Sequence, residues 1–235
     1  MAMETARLRP VVTIWETYGA GMEEIGRLVA AELGVDLHSK AYTPAEVAAA
    51  GRSGRIGNGD DEIWFLVGPR GSSLQGYHRS DMLRGIHEQH QRIAAQLTED
   101  VEAEAARGAV LLGRNATYIL RDWPHVLHVK LDGPVKDRIA RAAAAQGISL
   151  EEAAEQEQWH DEVRSQVCIE LFDWNPLENT YYDMVFNTSN LTFETCAALI
   201  ADAARAKVAG AEGAGAEGAG AERALPPEAD GAEST

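Results

Sequence analysis

Four arginines, Arg114, Arg138, Arg141 and Arg164, and a glycine turn near the start, Gly19-Ala20-Gly21, are the residues best suited to chemistry on an anion. The turn follows a short β-branched run, Val11-Val12-Thr13-Ile14-Trp15. It precedes a stretch in which Ile25, Leu28, Val29 and Leu33 keep helical spacing. Strand, glycine turn and helix together aim backbone N–H groups and a helix N-terminus at one point, where a phosphate can sit. Glycine allows positive φ and a close approach to the backbone. Guanidinium groups supply the bidentate contacts that neutralise a transferring phosphoryl group. Met22, Glu23 and Glu24 follow Gly21, so the lysine and hydroxyl of a G-x-x-x-x-G-K-[ST] loop are missing. By spacing alone, a plain turn with acidic residues at the positive end of a helix dipole is at least as good a reading.

Each further candidate has a bland reading beside the chemical one. Arg138 and Arg141 share a helix face at i, i+3, the pattern of a phosphate clamp or of a solvated flank. Asp161 and Arg164 have the same spacing and read equally as a surface ion pair worth under about 1 kcal/mol. Arg114 and Asn115 stand at the end of an apolar run, where ligands approach an α/β sheet. His87 and His90 lack a third convergent ligand, so no metal set is assigned. Trp159, Trp174 and Tyr181 favour core over base stacking. Ser72-Ser73 and Cys168 have no recognisable base partner, which gives a hydrolase reading little weight.

The elements that must position these residues alternate. Strand-like runs at 11–15, 35–38, 63–67, 109–112, 126–131 and 184–186 are separated by helical patterns at 23–33, 79–107, 116–121, 135–146, 150–171 and 193–207. A further helix opens at Thr43-Pro44, and 51–61 reads as a loop. Alternation of this kind implies βαβ crossovers and a parallel sheet with helices on both faces. The expected organisation is an N-terminal extension over 1–8, one folded domain over 9–208, and a disordered acidic Ala/Gly/Glu tail over 209–235.

Composition bounds the partners. The net charge is −16; residues 210–235 hold six acidic residues and one arginine, a net −5, which leaves −11 on the remainder. Such acidity argues against nucleic acid polymers, which need a basic footprint, but leaves a mononucleotide open. No run of about 18 apolar residues suggests a membrane span, no signal peptide is evident, and two cysteines make no disulfide framework. A cytoplasmic setting fits best, and the oligomeric state is not legible.

Four segments, VVTIWETYGAGMEEIGRLVAAELGV, LLGRNATYIL, VKDRIARA and YYDMVFNTSNLTFE, occur in the order and at the separations of the cytidylate kinase-like family, which the chain resembles from about Val11 to Ala204. The resemblance implies a three-layer α/β/α fold with P-loop-kinase-like topology and a helical lid. It also implies ATP as donor, Mg²⁺, and phosphoryl transfer to a nucleoside monophosphate such as CMP or dCMP, or to another small acceptor. Carried over by position, Gly19, Ala20, Gly21, Met22, Glu23 and Glu24 form the phosphate loop and the start of its helix. Lys40, Arg114 and Asn115 fall on the acceptor side, with Arg138, Arg141, Asp161 and Arg164 in the lid. Arg114, Arg138 and Arg164 are the expected catalytic arginines. Glu16 and Thr17 stand where the family carries Arg-Glu, Met22 and Glu23 where it carries Gly-Arg, Ser39 in place of Asp, and Glu162 in place of a lid lysine. These charge reversals make a catalytically weak nucleotide-binding protein the alternative expectation. A third, an interaction protein worked by its acidic tail, ranks lowest.

Overall fold

Val11–Glu16 (β1) is apolar except at Thr13 and Glu16, and its first five residues are buried, as a strand covered on both faces requires. In the computed structural model, which describes residues 8–39, 47, 49–50, 53–57, 61–65 and 80–222, it lies at the centre of a five-stranded sheet. The other described elements are Met22–Leu33 (α1), Asp36–Ser39 (β2), Arg55–Ile56 (β3), Ile63–Trp64 (β4) and Ser80–Ala105 (α2). Ala109–Leu112 (β5), Ala116–Ile119 (α3), Val126–Asp132 (β6), Val135–Gln146 (α4) and Leu150–Phe172 (α5) follow. A 3₁₀ turn at Asn179–Tyr181, then Met184–Asn187 (β7) and Phe193–Glu222 (α6), complete the chain.

The strands run β2-β5-β1-β6-β7, all parallel, with Val11 opposite both Ala109 and Val126. This is the expected three-layer α/β/α arrangement with P-loop-kinase topology. One face, including Val12, Ile14, Val110 and Val129, packs on Ile25 and Val29 of α1 and on Cys196 and Ile200 of α6. Val11, Leu111 and Val126 on the other face meet Val101 of α2 and Ala116 of α3. A third cluster sets Ile56, Ile63 and Phe65 against Val163 and Val167 of α5. No helix among the described residues is long and apolar enough to cross a membrane.

Two expectations need correcting. The loop expected over 51–61 contains β3, whose two residues pair antiparallel with β4; its side chains gain a partner in α5 that local sequence does not announce. The closing helix, expected to stop at 207 before a disordered 209–235, continues to Glu222. Residues up to Val208 are buried at intervals along the helix, so the Ala/Gly/Glu continuation is propagated from an existing helix and avoids the cost of nucleation. Residues 223–235 lie outside the described residues, as do Lys40, Thr43-Pro44 and Ser72-Ser73.

Candidate functional site

The turn between β1 and α1 is built on two positive-φ glycines, Gly19 at 76° and Gly21 at 100°. A Cβ on Gly19 would meet the Arg138 carbonyl oxygen, and one on Gly21 would meet the Phe193 ring, so packing as well as conformation demands glycine at both. Gly21 has no side chain with which to cap α1, and Glu16 supplies the cap from the end of β1. Its Oε2 accepts the Gly21 and Met22 N–H groups at 2.8 and 2.9 Å. Burial pushes the Glu16 carboxyl up from its ordinary range, against the nearby Arg164 charge and the two amides, which pull it down. The amide pair that the fold aims at an anion thus holds an anion supplied by the chain. Ala20 and Met22 are buried, and Met22 packs into the α1–α6 core.

The lid helices are tied to this turn. Arg138, only 5% exposed at its side chain, donates from Nη1 to the Tyr18 carbonyl at 2.7 Å and from Nε to the Gly133 carbonyl at 2.9 Å. Its guanidinium lies 3.5 Å from both Asp161 and Glu157. Arg141 donates to the Gly19 carbonyl at 2.7 Å and to Thr188. Arg164 donates to the Glu16 backbone carbonyl at 3.1 Å and stacks over Trp15. Asp161 accepts the Tyr18 N–H at 2.6 Å, and burial pushes its carboxyl up to about 6. The Tyr18 hydroxyl bridges Gln146 of α4 and Gln156 of α5.

A cavity of about 360 Å³ lies over the turn. It gathers Gly19, Gly21, Met22, Glu23, Glu24, Arg141 and Arg164 from the expected set, together with Glu16, Tyr18, Gln146, His160 and Phe193. Glu23 accepts the Ser39 hydroxyl, and Glu24 pairs with Arg27. The expected acceptor side is arranged differently. Arg114 pairs with Glu104 of α2, whose carboxylate also lies 3.4 Å from His38. Asn115 accepts the indole N–H of the buried Trp174 at 2.8 Å, and Trp174 stacks on Tyr118. His90 accepts the Trp64 N–H. Among the described residues no three His, Cys, Asp or Glu side chains gather as metal ligands, whereas the paired amides suit a phosphate oxygen, as the Glu16 carboxylate shows by occupying them. Glu16 was legible only as a charge reversal; Tyr18, Gln146, His160 and Phe193 carried no signal of their own.

Two buried imidazoles set the acid limb of stability. Burial pushes His160, beside Arg164, down to about 3, and His128, bound through Nδ1 to the Thr13 hydroxyl at 2.8 Å, down to about 4. Both stay neutral in the fold, while the unfolded chain takes up protons near pH 6.5, so stability falls as pH drops below that value. Each histidine costs about 2 kcal/mol at pH 5 relative to pH 7.5, and Asp161, which gains its proton near pH 6 in the fold, offsets roughly 1 kcal/mol. His160→Gln should therefore flatten the loss between pH 7.5 and 5 by about 2 kcal/mol in urea titrations. An unchanged slope would show that His160 is not held neutral.

Residues 11–190 match the profile of the cytidylate kinase-like family. The chain is also similar to a uronate isomerase of Corynebacterium glutamicum, 33% identical over 116 residues, or 49% of this chain and 22% of that protein. It thus spans about a fifth of that relative's length. Among solved structures, an uncharacterized protein from Eubacterium ventriosum superposes with a TM-score of 0.59 at 16% identity, covering 84% of this chain and 99% of that one. Looser likenesses include a shikimate kinase from Acinetobacter baumannii (0.40, 16% identity, 83% and 92% covered) and a deoxyadenosine kinase from M. mycoides (0.41, 13% identity, 83% and 99% covered). With 180 consecutive residues matching, the strand order in place and the glycine turn at the mouth of α1, the chain belongs to the cytidylate kinase-like family.

Proposed function

We propose that the chain binds a nucleotide through its phosphates at the Gly19–Gly21 turn and transfers phosphoryl groups slowly at best. The carrying observation is the cavity at the N-terminus of α1, lined by Gly19, Gly21 and Met22 of the turn and by Arg141 and Arg164. Amides and guanidinium groups converging at a helix N-terminus favour a polyphosphate over a neutral ligand. ATP is the expected donor-type ligand, with Mg²⁺ neutralising charge the protein does not cover. The cation supply limits transfer. Phosphoryl transfer rests on fixed positive charge around the moving group, yet Glu16, Glu23 and Glu24 surround the turn. Arg138 is committed to backbone carbonyls and carboxylates, and Arg114 to Glu104.

A thermal-shift panel of nucleotides with and without Mg²⁺ tests binding. A ligand at a hundredfold excess over Kd adds about 2.7 kcal/mol of stability, and Arg164→Gln should remove most of that gain. A coupled assay with ATP, Mg²⁺ and CMP or dCMP should turn over below roughly 10⁻² s⁻¹, at least a hundredfold under the usual kinase range. Turnover near 1 s⁻¹ would restore the full kinase reading. No shift with any nucleotide would remove nucleotide binding altogether.

A further inference from the structure

On the nucleotide-binding reading, on which this inference rests, we propose that Glu16 is an internal stand-in for phosphate, seated on the Gly21 and Met22 amides, and that a di- or triphosphate binds by displacing it. One oxygen, Oε2, accepts two successive N–H groups at the head of α1, at 2.8 and 2.9 Å. A phosphate oxygen entering the turn needs the same two donors. The carboxylate and the ligand therefore compete for one seat.

Three observations make Glu16 suited to leaving. It borders the cavity, so its side chain can swing out by χ rotation without moving β1. Arg164 donates to the Glu16 backbone carbonyl, so that contact survives when the carboxylate departs. Burial disfavours the ionised carboxyl there, which lowers what a ligand must overcome. The seat also selects for charge. A ligand that wins it must bring more than a carboxylate brings, and a second phosphate facing Arg141 and Arg164 supplies that, whereas a single phosphate close to Glu23 and Glu24 does not.

The simpler reading is a helix cap. A cap and a plug both stabilise α1, so stability does not separate them; affinity does. Removing a plug strengthens polyphosphate binding, while removing a cap leaves it unchanged or weakens it by loosening the turn.

Calorimetric titration of inorganic pyrophosphate, ADP and adenosine into wild type, Glu16→Gln and Glu16→Ala at pH 7.5 decides the matter. Glu16→Gln keeps an acceptor on the amides but loses the charge that makes the carboxylate a strong competitor, so pyrophosphate and ADP should each bind about tenfold tighter or better. Adenosine should not change. Glu16→Ala should follow the same direction, and Glu16→Gln carries the test if the alanine variant does not fold. Equal tightening for pyrophosphate and ADP supports a seat that reads phosphate alone, and greater tightening for ADP supports one that reads a nucleotide's phosphates. Affinities within twofold of wild type, or weaker, overturn the plug and leave Glu16 a cap. If none of the three proteins binds either phosphate ligand, the nucleotide reading itself fails, and the displacement with it.

Discussion

Gly19→Ala is expected to lower the unfolding free energy by roughly 2–5 kcal/mol, read as a shifted urea midpoint with an unchanged slope. Two costs add. A non-glycine residue at φ near 76° gives up about 1–2 kcal/mol of conformational energy. The new Cβ also meets the Arg138 carbonyl oxygen, with Ala142 Cβ 3.2 Å away, and forcing a methyl group into packed surroundings costs typically 1–3 kcal/mol. Neither neighbour is the free end of a flexible side chain, since both belong to the body of α4. The turn and α4 must therefore separate, stretching the Arg138 and Arg141 bonds to the Tyr18 and Gly19 carbonyls. Gly147→Ala is the matched control. Its φ is 68°, yet nothing lies within 4 Å of the position its Cβ would take, so only the conformational cost of about 1–2 kcal/mol applies. Equal losses for the two variants would mean that the turn is not clamped by α4.

The same clamp shows where sequence reasoning reaches and where it stops. β1, β5 and β6 were legible because a strand buried on both faces must be apolar throughout, and Val11-Val12-Thr13-Ile14-Trp15 and Ala109-Val110-Leu111-Leu112 are nearly so. The turn was legible because strand, glycines and amphipathic helix adjoin in the chain. β3 was not, because two residues make a strand only when a partner and a covering helix are already present. The type of Arg138 invited a phosphate role, but its partners, Tyr18 and Asp161, lie 120 and 23 residues away, and nothing local identifies them. Arg114 likewise takes its carboxylate from α2. Glu16 lay between the two cases. Its reversed charge was visible, but the direction of its side chain depends on how the turn folds back over β1. Charge sign is a property of the residue; the group it faces is a property of the fold.

That distinction has its largest measurable consequence at Arg138. Arg138→Ala is expected to destabilise the protein by about 3–5 kcal/mol, the usual cost of breaking a buried ionic contact by removing one side. The guanidinium satisfies two backbone carbonyls, and Asp161, Glu157 and Asp132 all lie within 3.7 Å of it. Without it, Asp161 keeps the Tyr18 N–H but loses one of its two nearby cations, and its carboxyl moves further above about 6. A carboxyl whose folded pKa is raised binds more protons in the native state, so the variant recovers stability as pH falls through that pKa. The deficit should therefore be smaller at pH 5 than at pH 7.5. Asp161→Asn in the Arg138→Ala background should return 1–3 kcal/mol at pH 7.5, because the amide still accepts from Tyr18 and carries no buried charge. Additive losses in that double-mutant cycle would argue against the ion pair. A variant of wild-type stability that has lost only nucleotide affinity would return Arg138 to the ligand-facing role its position in the family implies.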